Sequence, residues 1–229
     1  MMELVINSAG MLTLGVAVGM LSGALGLGGG IIMVPAFMTF VAGMDPHTAK
    51  GTSLFIIVFV ALLNAWRLNR GLDRKPWRLA ALLAAGSIAG GYAGARVTAQ
   101  LPEQVVLWLF MGLLAVFGLR TFFLKTPEVD DDEVRRRTLL PLLAGFAAGV
   151  VGGATGTGGG AVLVPLTLFA GMTTNALVTG LSNMVMVATS LAGTVGQLRA
   201  APVFESGWVV GHVYLYLAPF VFAGAQVGS

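Results

Sequence analysis

The residues best suited to chemistry in this chain are two glycine triplets, Gly28-Gly29-Gly30 and Gly158-Gly159-Gly160. Each is followed five residues later by a proline, Pro35 and Pro165. A glycine triplet can act only through its backbone. A Gly-rich break that leads into a helix leaves unpaired amide N–H groups at the new helix N-terminus. Those amides and the helix dipole favour an anion, and glycine lets a ligand come close to the main chain. The amides of Gly29, Gly30 and Ile31, and of Gly159, Gly160 and Ala161, are therefore the candidate anion ligands, with Gly28 and Gly158 opening each turn. The hydroxyls of Ser53, Thr157 and Ser182 and the amide of Asn183 would complete the hydrogen bonds. The competing reading is structural: glycines let helices approach, and polar side chains in lipid bridge helices. It accounts for Gly15, Gly19 and Gly23, for Gly145, Gly149 and Gly153, and for Gly86, Gly90 and Gly94. Three consecutive glycines leave no packing face, and each costs about 1 kcal/mol in a helix relative to Ala, so the triplets are read as a substrate site.

Other chemistries lack their residues. Cys is absent, so there is no disulfide framework or thiolate site. His47 and His212 stand alone near helix ends, and no metal site is expected. No Asp or Glu falls in mid-helix, which leaves a carboxylate proton relay without a candidate. No nucleophile–base pair is visible, so neither an enzyme nor a cofactor is expected. A dinucleotide fingerprint fails because Ile31 stands where its last glycine should be, and Lys50-Gly51-Thr52 is only a fragment of a phosphate loop. Lys50 and Arg96 fall in connections between apolar runs. No cation is then expected beside the breaks, and helix dipoles alone would compensate an anion.

The elements that must position these residues follow from composition. Hydrophobic residues make up 56% of the 229 and charged residues 10%, against about 25% charge in a soluble domain. Mean hydropathy is +0.88. Such a chain cannot cover itself with a polar surface, and an all-α polytopic membrane protein is predicted. The pI near 9.7 does not indicate a nucleic-acid partner, because the basic residues sit in short loops. The expected partners are a small anionic substrate and the lipid bilayer; no oligomeric state is assigned. No basic region precedes the first apolar run, which argues against a cleaved signal peptide.

Apolar runs occur at about 9–25, 31–42, 48–66, 79–99, 104–124, 138–154, 161–171, 176–198 and 207–229. A span needs roughly 20 residues, so 31–42 and 161–171 are half-helices. Two halves repeat. At an offset of 130, eleven of the 21 positions from 15 to 35 are identical, including seven glycines and the proline. Ser53 answers Ser182 at 129, and Gly90 and Gly94 answer Gly224 and Gly228 at 134. Paired breaks in an internal duplication point to a secondary transporter. The predicted units are residues 1–124 as a first repeat of about four spans, 125–137 as a charged linker, and 138–229 as a second repeat that lacks its last span. Ten of 13 Lys and Arg fall in two clusters, Arg67–Arg78 and Arg120–Arg137, which places both clusters and the linker in the cytoplasm. The breaks should meet near mid-membrane. The repeats are inverted if each break separates two crossings and parallel if each only kinks one.

GALGLGGGIIMVP with a downstream Gly51-Thr-Ser53, repeated as GGATGTGGGAVLVP with a downstream Gly180-Leu-Ser-Asn183, resembles the TauE/SafE sulfite exporter family over nearly the whole chain. The resemblance implies an inner-membrane carrier for sulfite, a sulfonate or another small organic anion. It maps the family motif onto Gly28, Gly29, Gly30 and Pro35 with Gly158, Gly159, Gly160 and Pro165. A non-transporting membrane scaffold or an anion channel is the alternative.

Overall fold

The computed structural model describes residues 10, 12–20, 29–41, 44–70, 76–102, 104–105, 108, 111–112, 115, 138–199, 209–210, 213–214 and 217–228. Gly28, Ser8, His212, the linker 125–137 and most of the run 104–124 lie outside them. The described chain is helical: α1 (12–20), α2 (Gly30–Phe40), α3 (Pro46–Asn69), α4 (Trp77–Ala99), α5 (Leu139–Thr155), α6 (Gly160–Phe169), α7 (Asn175–Leu198) and α8 (Ala218–Gly228).

α2 and α6, with 11 and 10 residues, are about 15 Å long at 1.5 Å per residue, half of a ~30 Å hydrocarbon core. α3 has 24 residues, and α3 together with Ala176–Leu198 of α7 is long and apolar enough to cross a membrane. α3 starts where its sequence says it should. Asp45 accepts from His47 N–H at 2.9 Å and Thr48 N–H at 3.0 Å, with Pro46 at the first helical position. An Asp N-cap followed by Pro is a strong helix start.

The helices are apolar outside, and they bury polar groups among an apolar core. Leu62, Ile88, Leu143 and Leu191 are half exposed, while Ser53, Asn64, Ser87, Ser190 and Gln197 are buried beside Phe37, Leu54, Ile57 and Leu83. Such an exposed apolar surface suits a lipid surround.

Small residues set the packing. Any side-chain carbon at Gly86, Gly90 or Gly94 of α4 would run into the carbonyls of Leu142, Phe146 and Val150 of α5. Reciprocally, Gly145, Gly149 and Gly153 meet the carbonyls of Leu83, Ser87 and Gly91. Both residue numbers rise together, so α4 and α5 run parallel. α1 and α8 repeat the pattern: Gly15 meets Val221 and Gly224, Gly19 meets Ala225, and Gly224 meets Leu12. α3 and α7 run antiparallel, because Asn69 touches Gly180 while Leu54 touches Gly193. Asn69 Nδ2 ties the two helices by donating to the Gly180 carbonyl at 3.2 Å.

The last apolar run differs from expectation. Val209–Val210 pairs antiparallel with Val213–Tyr214, and α8 begins only at Ala218. β-branched and aromatic residues favour extended backbone, and Pro219 is tolerated because it falls in the first turn of α8. At 11 residues, α8 is too short to span a bilayer alone.

Candidate functional site

Both half-helices start alike. Gly29 and Gly159, matched at the offset of 130, are the N-caps of α2 and α6 with φ of 67° and 84° and ψ of −10° at each. A non-glycine residue pays about 1–2 kcal/mol to hold that left-handed conformation. Neither N-cap supplies a side-chain hydrogen bond. The first ladder bonds run from Ile32 to the Gly29 carbonyl at 3.0 Å and from Val162 to the Gly159 carbonyl at 3.1 Å. The amides of Gly30, Ile31, Gly160 and Ala161 precede those bonds.

The two breaks touch. A Cβ at Gly30 would stand 2.5 Å from the Gly156 carbonyl oxygen and 2.6 Å from Thr157 Cα. Ile57 of α3 lies between them, with Cδ1 2.9 Å from the Gly30 Cβ position and Cγ2 3.0 Å from that of Gly158. The triplets thus have structural reasons beyond ligand approach. Gly29, Gly158 and Gly159 sit at positive φ, and Gly30 is held to hydrogen by the opposing break. The premise that packing leaves the triplets unexplained is corrected: a consecutive run of glycines does meet neighbours when the chain leaves the helix.

The second break carries the polar groups. Ser53 Oγ donates to the Gly156 carbonyl at 2.8 Å and joins α3 to the break. Thr155 Oγ1 donates to the Val151 carbonyl at 2.7 Å and lies 3.1 Å from Thr157 Oγ1. With the Thr155 hydrogen so directed, the Thr157 hydroxyl is the donor of that pair. Ser182 and Asn183 are buried on α7, and Asn183 Nδ2 donates to the Thr179 carbonyl at 2.9 Å. Of the candidate residues, Gly30 meets Thr157 directly, Ser53 joins the same break through Gly156, and Gly158 and Gly159 follow Thr157 in the chain.

Sequence reasoning missed Lys50. It was assigned to a connection, with no cation expected near the breaks. Instead α3 begins at Pro46 behind the Asp45 cap, and Lys50 stands in its second turn, 0% exposed. Its Cγ lies 2.8 Å from the Gly156 Cβ position. Its Nζ donates to Thr98 Oγ1 at 2.8 Å, and Thr98 Oγ1 in turn donates to the Gly94 carbonyl at 2.7 Å. The available signal was the Asp-Pro pair ahead of Lys50-Gly-Thr-Ser. Arg96 likewise lies within α4 and donates to the Arg199 carbonyl at 3.0 Å.

An apolar exterior, buried polar side chains and paired half-helices define a helical integral membrane protein. The chain belongs to the sulfite exporter TauE/SafE family, whose model matches residues 11–229. It is 23% identical over 227 residues to a probable membrane transporter protein of Methanocaldococcus jannaschii, covering 95% of this chain and 84% of that one. A probable membrane transporter protein of Bacillus subtilis is 24% identical over 249 residues, covering 96% and 86%. One of Xylella fastidiosa is 29% identical over 160 residues, covering 67% of this chain and only 59% of the relative. No solved structure matches.

Proposed function

We propose that this chain is a secondary transporter for a small oxyanion, such as sulfite or an organosulfonate, bound where the two Gly-rich breaks meet. The observation that carries this reading is the contact of Gly30 with Gly156 and Thr157. It buries two helix N-termini, neither with a side-chain cap, in one place within an apolar protein. Positive dipole ends so arranged favour an anion, and broken helices at matching positions are a recurrent substrate site in carriers. A dipolar site binds modestly, which suits a carrier that must release its cargo.

The framework is read as two inverted repeats, residues 1–124 and 138–229, joined by a cytoplasmic linker in a bacterial inner membrane. Three contacts support inversion. α3 and α7, the matched long helices, run antiparallel, and the parallel pair α4 with α5 is mirrored by α8 with α1. The mirrored contacts set Gly86 against Leu142 and Gly224 against Leu12. They relate α4 to α8 by 138 positions, four more than the sequence match of 134.

The test is counterflow in proteoliposomes with sulfite, sulfoacetate, thiosulfate and small carboxylates. Saturable exchange of at least one anion is expected. Flux that rises linearly with concentration would identify a channel, and no flux with any anion would leave a scaffold.

A further inference from the structure

We propose that the anion is taken asymmetrically, at the second break, by the Lys50 ammonium, the Ser190 hydroxyl and the N-terminus of α6; this rests on the transporter reading above. The first break serves as the apolar wall of the site.

Three observations on different elements carry this. Ser190 of α7 is 0% exposed, and its Oγ has no hydrogen-bond partner among the described residues. It lies 2.8 Å from the position a Cβ would take on Gly158. A buried hydroxyl left unpaired is destabilising, so it is expected to pair with something that enters. Lys50 of α3 packs on Gly156, two residues earlier in the same break. It is the one buried Lys or Arg among the described residues. Thr98 Oγ1 takes one of its three ammonium hydrogens. Among the described residues no other acceptor takes a second, and no carboxylate pairs with it at contact distance. The Asp45 carboxylate, capping the start of the same helix, attracts it from further off. A buried ammonium without a contact counter-ion is expensive unless a transient anion neutralises it. Finally, α6 presents its N-terminus at the same place, with Gly159 as cap.

The first break lacks these groups. At the offset of 130, Leu25 and Leu27 stand where Thr155 and Thr157 stand, and at 129, Ala61 stands where Ser190 stands. Outside the second break, the atoms nearest the Cβ positions of Gly29 and Gly30 belong to Val18 and Ile57.

The experiment measures initial rates of labelled sulfite uptake by the full chain in proteoliposomes, with KM and maximal rate read separately. Lys50→Gln should raise KM by about tenfold or more, the effect of losing one charge-assisted hydrogen bond. Lys50→Arg should restore KM to within about threefold, and Ser190→Ala should raise it about fivefold on the same scale. A merely structural lysine would lower the amount of active protein and leave KM alone. If Lys50→Gln does not yield a monodisperse protein, Ser190→Ala decides. Wild-type KM in either decisive variant overturns the asymmetric site while the transporter reading stands. A wild-type chain that carries no anion of the panel overturns the transporter reading itself, and this proposal with it.

Discussion

The two breaks share a backbone and differ in chemistry. Gly29 and Gly159 cap half-helices of 11 and 10 residues at nearly the same φ and ψ, and Pro35 and Pro165 fall at the same place in each. The side-chain atoms nearest the first are those of Val18 and Ile57; the second shares Ile57 and adds Thr189 with the polar groups of Lys50, Ser53, Thr155, Thr157 and Ser190. Backbone geometry in a duplicated chain is held by steric demands that act on both copies. Positive φ excludes side chains at Gly29 and Gly159, and the touching backbones exclude one at Gly30. Nothing comparable restrains the neighbouring side chains, and these differ between the two breaks.

The largest perturbation should come from Gly30→Val. The new side chain would collide with the Gly156 carbonyl oxygen at 2.5 Å and with Thr157 Cα at 2.6 Å. Both are backbone atoms that cannot rotate away, and overpacking of this kind costs about 3 kcal/mol. The expected result is loss of monodisperse protein on size exclusion. A Gly30→Val chain with wild-type thermal stability would show that the breaks do not touch.

A smaller effect is expected from Ser53→Ala. It deletes the 2.8 Å bond to the Gly156 carbonyl and leaves a buried acceptor short of one donor, worth about 1 kcal/mol. Thermal unfolding in detergent should move down by a few degrees, with uptake still measurable. No change in melting temperature would mean that α3 does not hold the second break.

The smallest effect tests the asymmetry directly. Ala61→Ser places a hydroxyl at the position matched to Ser190. On a buried helix such a hydroxyl bonds back to its own backbone at a cost of about 0.5 kcal/mol. Sulfite KM should stay at the wild-type value, whereas Ser190→Ala moves it. An Ala61→Ser variant with clearly altered KM would show that the first break also contacts substrate.

Several features were legible because they depend on residues acting locally. Glycines and prolines announced both breaks and both half-helices, since positive φ and a missing N–H are properties of single residues. The meeting of the breaks was also anticipated, from their matched positions and from the cost of bare backbone in lipid. The register of α4 against α8 was not recoverable. A stripe of small residues spaced by four matches itself equally well one turn along, and only contacts such as Gly224 with Leu12 distinguish an offset of 138 from 134. The run 207–229 reads as one apolar segment, because hydropathy does not separate the extended Val209–Val210 and Val213–Tyr214 from the helix at Ala218.

Composition, the glycine triplets and the duplicated motif determine by themselves a helical membrane protein with two paired breaks, because hydrophobicity and backbone permissiveness are intrinsic to residues. Which side chains surround those breaks was decided only by the tertiary structure. Lys50, Thr98, Gly156 and Ser190 are brought together across four helices or their ends. The burial of Lys50 follows from the Asp45-Pro46 cap, which sets the start of α3, together with the packing of α3 on the second break. Burial of a charge is a property of what packs against it, and no single stretch of sequence contains that.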